Sequence, residues 1–337
     1  MSIALLIVRR IASMLVVLLL IVVVSFFVTR ILPGDPATTL AGIGTSPEQI
    51  EVVRRNLGLD QPLLAQFGQY LASIATFDFG ESLRSKQPIA AEIGARLPAT
   101  MELALYATVA SAIGAVLLSI IAVGSRSRWV DTAVRIGSVI GSSAPVFWLA
   151  LLLQLVFYAW LQVLPSGGRL PFSATAPPTV TGFYTIDSLL AGDLDTFGLA
   201  VVHLILPVAS LTIASVGSLA RLLRAQLRDE VRSEYVATAR ARGLGRLRIL
   251  ARHALPNAAS PAITVVGMEF AFLVAGAIFV ERIFQWPGLG SYTWDAIVGL
   301  DYPVVSAVAV TLGIVFVLTS LVVDLAYRLL DPRVRLS

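Results

Sequence analysis

"IASMLVVLLLIVVVSFFV", residues 11–28, contains no charged side chain. A membrane-spanning helix needs about 20 mostly apolar residues, and this run with its flanks reaches that length. Arg9 and Arg10 precede it, and "PGDP" (Pro33–Pro36) follows. A cleaved signal peptide has a shorter apolar core and a small-residue cleavage site. The run therefore reads as a retained span.

The rest of the chain agrees with that reading. Of its 337 residues, 57% are hydrophobic and only 14% charged, against about 25% charged in soluble domains. So few charges cannot cover a water-soluble globule of this size, which points to an integral membrane protein. Further apolar runs lie at about 101–123, 145–164 with an approach from Asp131, 199–219, 261–280 and 304–325. The expectation is an all-α membrane protein with six transmembrane helices. Cys is absent and there are two His. This excludes a disulfide framework, thiol catalysis and a Cys-ligated metal, and two His argue against a His-built metal site.

Arginine sets the orientation. Arg9 and Arg10 precede the first span, and Arg126, Arg128 and Arg135 lie between the second and third. Nine Arg fall between Arg221 and Arg252, against Asp229, Glu230 and Glu234, and the tail carries Arg328, Arg333 and Arg335. With six spans these regions share one side. Opposite, Asp187, Asp193 and Asp195 face only Arg169. Both termini are expected in the cytoplasm. The expected layout is a first span in residues 1–32, an outer segment at 33–97, and a core at 98–337. The core carries five spans, an outer loop at about 165–198 and a cytoplasmic loop at about 221–256.

The outer segment holds two amphipathic patterns. In "SPEQIEVVRRNLG" (Ser46–Gly58), Ser46 and Gln49 form a capping box and Pro47 suits the first helical position. Ile50, Val53 and Leu57 share a face, and Gly58 ends the helix. In "QPLLAQFGQYLASI" (Gln61–Ile74), Leu64, Phe67, Leu71 and Ile74 form one stripe. These helices either lie on the membrane surface, over the mouth of a pathway, or pack on the transmembrane core. A short helix is expected near Ile186–Leu190.

Inside the membrane, "GSVIG" (Gly137–Gly141) followed by Ser142, Ser143 and Ala144 has helix-packing spacing. Pro145 then kinks the approach to the third span. His203, just before Pro207, reads as a hydrogen-bonded residue at a helix end. Glu269 stands mid-span in "ITVVGMEFAFLVAGAIFV" (Ile263–Val280). A charge at that depth costs roughly 2.5–3.5 kcal/mol on insertion scales, so it faces protein or water. It is either a pathway residue meeting a cationic group or a hydrogen-bonded Glu at a helix interface.

No phosphate-binding loop is present. Lys86, the only lysine, sits in "SLRSKQP" without neighbouring glycines. No catalytic constellation stands out, so the chain is not read as an enzyme. Uphill transport driven by ATP would need an ATPase on another chain. Ion-coupled transport usually shows several buried ionisable residues and an internal repeat, and neither is evident. A lone ion-coupled transporter or channel is the main alternative. A scaffold whose Arg-rich loop binds anionic lipid is a second.

The basic stretch "EYVATARARGLGRLRILARHALPN" (Glu234–Asn257) resembles the cytoplasmic "EAA" loop of permease subunits of binding-protein-dependent ABC importers. Gly243 matches the central glycine, followed by Leu244, with Leu250, Leu255 and Pro256 at the matching spacing. Ala237, Thr238 and Ala239 stand where the family has a charged or amide residue and two small ones. Ala237 departs from that pattern, and Glu234 lies three residues earlier. Nine further tags occur in order: "PGDP", "FDFGESL" (77–83), "RLPATMELAL" (96–105), "SSAPVFWLALLL" (142–153), "LPSGG" (164–168), "HLILPVASL" (203–211), "FQWPGLG" (284–290), "DYPVV" (301–305) and "LLDPRVR" (329–335). Together they resemble the first permease subunit of dipeptide, oligopeptide and nickel importers, over nearly the whole chain. At Glu269 the resemblance leads one to expect a neutral or amide residue.

The resemblance implies a type I ABC importer permease fold in the bacterial inner membrane. The implied partners are a second homologous permease, two cytoplasmic ATPases, an extracytoplasmic binding protein and membrane lipid, with no nucleic acid. ATP and Mg would bind the ATPases, and no cofactor would bind this chain. The implied coupling residues are Glu234, Tyr235, Ala237, Ala239, Arg240, Ala241, Arg242, Gly243, Leu244, Leu250, Leu255 and Pro256. A helix from about Asp229 to Arg242 would lie along the membrane, its alanines admitting a partner surface. Arg240, Arg242, Arg246 and Arg248 would meet ATPase carboxylates. Peptides are the default substrate; nickel chelates, glutathione and oligosaccharides stay open.

Overall fold

The computed structural model describes residues 3–31, 37–38, 45–56 and 58–330. "PGDP", Leu57, Arg333, Arg335 and most of "LLDPRVR" lie outside the described residues. Among the described residues every regular element is a helix, with one isolated bridge between Glu81 and Pro88.

The helices are α1 (Ile3–Ile31), α2 (Pro47–Asn56), α3 (Leu63–Ala75), α4 (Ile89–Gly124), α5 (Arg128–Ser143) and α6 (Val146–Leu153), which continues as a π-helix over Gln154–Trp160. Then come α7 (Tyr184–Leu190), α8 (Leu194–Glu230), α9 (Glu234–Ala241) and α10 (Arg246–Ile249), the last continuing as a π-helix over Leu250–Ala254. The chain closes with α11 (Leu255–Ala258), α12 (Ser260–Gly276), α13 (Ile278–Ile283), α14 (Leu289–Val298) and α15 (Tyr302–Leu330).

Three of these are long and apolar enough to cross a membrane: Ile89–Gly124, Leu194–Glu230 and Tyr302–Leu325. Two bent pairs raise the number to as many as five among the described residues, if each pair is one span. Arg128–Ser143 with Val146–Trp160 bends by 101°, and Arg246–Ala258 with Pro261–Gly276 by 67°. The first bend falls at Pro145, where the sequence places a kink. In α1 the apolar stretch among the described side chains is Ala12–Phe27. Along α4 the residues Leu105, Val109, Ile113, Leu117 and Ile121 are all exposed. Their four-residue spacing makes one apolar stripe, suited to lipid or to another subunit.

Several helices overrun the apolar runs that announce them. The run at 199–219 belongs to a helix reaching Glu230, so Arg221, Arg224 and Arg228 sit on helix and not in a loop. No Gly or Pro interrupts 218–230, and helical propensity carries the chain past the apolar core. His203 therefore lies inside α8 and not at its end. Its Nδ1 meets the Leu199 carbonyl at 2.8 Å. The run at 261–280 is divided: α12 stops at Gly276 and α13 starts at Ile278.

The chain divides into two compact units, Met1–Pro98 with Gly288–Leu318, and Ala99–Pro287 with Thr319–Ser337. In the first unit the capping box of α2 is formed reciprocally. The Gln49 N–H donates to Ser46 Oγ and the Ser46 N–H to Gln49 Oε1, both at 3.4 Å. Gly58 follows with φ +64°. Helix α3 packs on α1: the Phe67 and Phe26 rings are 5.2 Å apart, and the Tyr70 hydroxyl donates to Ser25 Oγ at 3.3 Å. What α3 shows is packing on the first apolar helix, α1. Phe67, Leu71 and Ile74 are half-buried, but Leu64 does not join them and is 82% exposed. As the second residue of α3, it projects past the end of the contact with α1.

Sequence tags meet as partners. In the first unit Ser82 of "FDFGESL" donates to the Asp301 carboxylate of "DYPVV" at 2.6 Å. In the second unit Gly168 of "LPSGG" donates to the Phe284 carbonyl of "FQWPGLG" at 2.7 Å. Trp286 Nε1 donates to the Ala99 carbonyl at 2.8 Å, and Thr100 Oγ1 to buried Glu281 at 2.6 Å. Buried Arg169 pairs with buried Glu102 at 2.6 Å and lies over the Tyr184 ring. Glu102 also accepts from the N–H and hydroxyl of Thr185 at 3.0 and 2.7 Å. Together they fasten the outer loop to α4.

Small residues bring α5 against α8. A Cβ on Gly217 would fall 2.1 Å from the Ser138 carbonyl oxygen, and one on Gly141 would fall 2.9 Å from that of Ile213. Gly137 has open space around it. Arg224 clamps the same pair of helices by donating to both Asp131 oxygens, at 2.7 and 2.6 Å.

Candidate coupling site

The stretch from Ser233 to Ala259 follows the end of α8. Helix α9 spans Glu234–Ala241, shorter than the expected 229–242. Glu230 still belongs to α8, and three residues, Val231, Arg232 and Ser233, separate the helices.

Gly243 closes α9. It has φ +78°, its N–H donates to the Arg240 carbonyl at 2.9 Å, and the Leu244 N–H reaches back to Ala239 at 3.3 Å. These are the two bonds of a Schellman motif, with Gly243 as the left-handed residue after the C-cap. The accompanying apolar contact is present too: Leu244 packs on a small core of Val236, Ala239 and Ile249.

That core corrects one expectation. Ala239 is buried, and its smallness admits Ile249 of the same chain and not a partner. Ala237 and Ala241 are exposed, together with Glu234, Thr238 and Arg242. Leu250 is likewise buried, packed with Leu223, Leu227, Ala254 and Ala258. Leu255 is half-buried and Pro256 exposed.

The four arginines expected to face a partner divide into two pairs. Arg240 donates to the Val231 carbonyl at 3.2 Å, and Arg246 to the Val123 carbonyl at 2.7 Å. Both bind backbone oxygens at helix ends, and Arg246 thereby caps α4. Arg242 and Arg248 are exposed and pair with no other described residue. An open cleft of about 340 Å³ lies among Val231, Arg240, Leu244, Arg246, Ile249 and Leu250.

Tyr235 ties α9 to both neighbours. Its hydroxyl donates to Glu230 Oε2 at 2.5 Å and accepts from Asn257 Nδ2 at 3.0 Å. Burial and the Glu230 carboxylate push the phenol pKa up. Glu230 and Asn257 were not among the sequence candidates. No spacing rule links Tyr235 to Asn257, 22 positions away. Leu247, 70% exposed beside this loop, also carried no signal.

The comparisons with known proteins meet this geometry. Residues 114–336 match the family described as binding-protein-dependent transport system inner membrane component. Residues 3–104 match its N-terminal counterpart. The chain belongs to this inner-membrane permease family. A probable D,D-dipeptide transport system permease of Escherichia coli K12 is 41% identical over 92% of this chain and 91% of its own. A dipeptide transport system permease of Alkalihalophilus pseudofirmus is 37% identical over 92% and 93%. A di/tripeptide transport system permease of Pseudomonas aeruginosa is 36% identical over 98% of each chain.

The permease is therefore a multi-pass inner-membrane subunit of a binding-protein-dependent ABC importer, with the ATPase on other chains. Glu269, the candidate pathway residue, lies on α12 apart from the coupling segment. It is half-buried, and Met268 and Phe272 beside it are exposed.

Proposed function

We propose that this permease forms half of a peptide translocation pathway, paired with a second homologous permease. Two cytoplasmic ATPases bind below and an extracytoplasmic binding protein delivers peptide from above. Peptide is favoured because the relatives are named for dipeptides and di/tripeptides. The chain crosses the membrane six times, with α1 added to the five candidates and both termini cytoplasmic. Residues 1–32 make the first span, 33–97 the outer segment and 98–337 the core with its outer and coupling loops. ATP and Mg are held by the ATPases. This chain carries no cofactor, metal or nucleic acid, and touches lipid.

One observation carries the coupling role: a short helix closed by Gly243 presents Glu234, Ala237, Thr238, Ala241 and Arg242 outward, buries Val236 and Ala239, and is tied to its neighbours by the Tyr235 hydroxyl. Closure of the ATPases on ATP pushes this surface. The Glu230–Tyr235–Asn257 bonds pass the push to α8 and α11, and the bend between α11 and α12 hands it to the span bearing Glu269. Arg242 and Arg248 offer charge to ATPase carboxylates, and the neighbouring cleft offers apolar walls.

The test is reconstitution in proteoliposomes. The complete importer should take up a dipeptide only with ATP in the compartment that holds the ATPases and loaded binding protein on the other side. Uptake by this chain alone, without ATP, would contradict the proposal.

A further inference from the structure

The strongest unexplained group in the membrane is the Glu269 carboxylate. It sits near the middle of α12, half-buried, on a span with no other charge between Ser260 and Gly276. Among the described residues it makes no ion pair. The Ser215 hydroxyl of α8 hydrogen-bonds to it, and that hydroxyl also lies 2.9 Å from the Leu211 carbonyl; a carboxylate offers about four acceptor sites, so one such bond leaves most of them open. Ser111 of α4 lies behind, 2.8 Å from Ser215 Oγ. The oxygens of Glu269 thus keep unused acceptor capacity at a point where three helices bring polar atoms together.

The face it occupies is open. Met268 and Phe272, its neighbours at one and three positions, are both exposed. A carboxylate at mid-membrane depth is strongly disfavoured against lipid, so this face meets water or protein. We infer that Glu269 is a binding point for a cationic group of the passing solute, the free ammonium of an unblocked peptide. The inference rests on the reading of the chain as a peptide pathway and adds a selectivity step inside the membrane. The flanking Met and Phe side chains supply soft apolar surface, and the Ser111–Ser215 pair lies behind the carboxylate.

The test uses the complete importer in proteoliposomes with the binding protein loaded to saturation. Two probes are compared: a dipeptide with a free N-terminus and its N-acetylated form, each with binding-protein occupancy measured. Wild type should move the free-amine probe faster, by about tenfold for one charge-assisted contact. Glu269→Gln should slow the free-amine probe alone and abolish the preference, and Glu269→Asp should keep part of it. Equal wild-type rates on both probes overturn the inference. So does a Gln variant that keeps the preference, or that slows both probes equally because Glu269 pairs with the second permease. If the Gln variant does not assemble, the wild-type ratio and the Asp variant decide, and an Asp variant without preference overturns it. An importer that moves neither probe contradicts the peptide reading instead.

Discussion

The Tyr235 hydroxyl donates to Glu230 Oε2 at 2.5 Å and receives Asn257 Nδ2 at 3.0 Å. One phenol thus joins the end of α8, the short helix α9 and the start of the return to α12. Tyr235→Phe keeps the ring and removes both solvent-exposed bonds, at a cost of about 1 kcal/mol. The expected outcome is normal assembly with ATP hydrolysis that continues while dipeptide uptake falls. The ratio of peptide moved to ATP hydrolysed reads it directly; an unchanged ratio would show that the bonds carry no coupling.

At Gly243 the φ of +78° decides the outcome of substitution. Gly243→Ala should cost about 1–2 kcal/mol, the penalty of left-handed backbone with a Cβ. Gly243→Pro is worse, because proline fixes φ near −65° and removes the N–H given to Arg240. We expect subunit stoichiometry to persist in both, with uptake uncoupled from hydrolysis in the proline variant. Uptake at the wild-type rate in a fully assembled proline variant would count against the coupling role.

The α5–α8 contact depends on Gly217. A methyl group there would lie 2.1 Å from the Ser138 carbonyl oxygen. Gly217→Ala must separate the helices and strain the Arg224–Asp131 clamp, at about 1–3 kcal/mol. Gly137→Ala, with open space around it, should be neutral. The pair is compared by thermal unfolding in detergent, and equal melting temperatures would refute the close contact.

Asp187 gives the outer loop a pH dependence. Burial opposes its ionisation, but hydrogen bonds from Thr181, Val180 and Gly182 outweigh that and hold its pKa below the ordinary carboxylate value. A depressed folded-state pKa stabilises above the unfolded value and is lost as pH falls through the folded one. Asp187→Asn should therefore cost about 1–3 kcal/mol at neutral pH. The difference should vanish in strong acid, which unfolding measured from pH 7 downward would reveal.

Local chemistry was legible in the sequence. Gly243 and Gly58 end helices because few other residues accept positive φ. Ser46 and Gln49 announce their box by spacing, and Pro145 announces a bend. Long-range partners were not. Nothing near Ala239 names Ile249 as the side chain its smallness admits. Ser82 and Asp301, or Glu102 and Arg169, read as separate tags until the fold brings them together. The helix overrun to Glu230 was hidden because apolarity ends where the membrane does, while helical backbone continues. Leu64 misled because periodicity gives a face but not how far the contact extends along it.

The chain has no cysteine, which makes one measurement especially direct. Single cysteines at Ala237, Ala239 and Ala241, carrying a photoactivatable cross-linker, can be placed in the assembled importer. Ala241→Cys and Ala237→Cys should cross-link to the ATPase subunits, with a yield that changes when ATP is bound. Ala239→Cys, buried against Ile249, should label poorly and cross-link little. No ATPase adduct from either exposed position would contradict the claim that α9 is the docking surface.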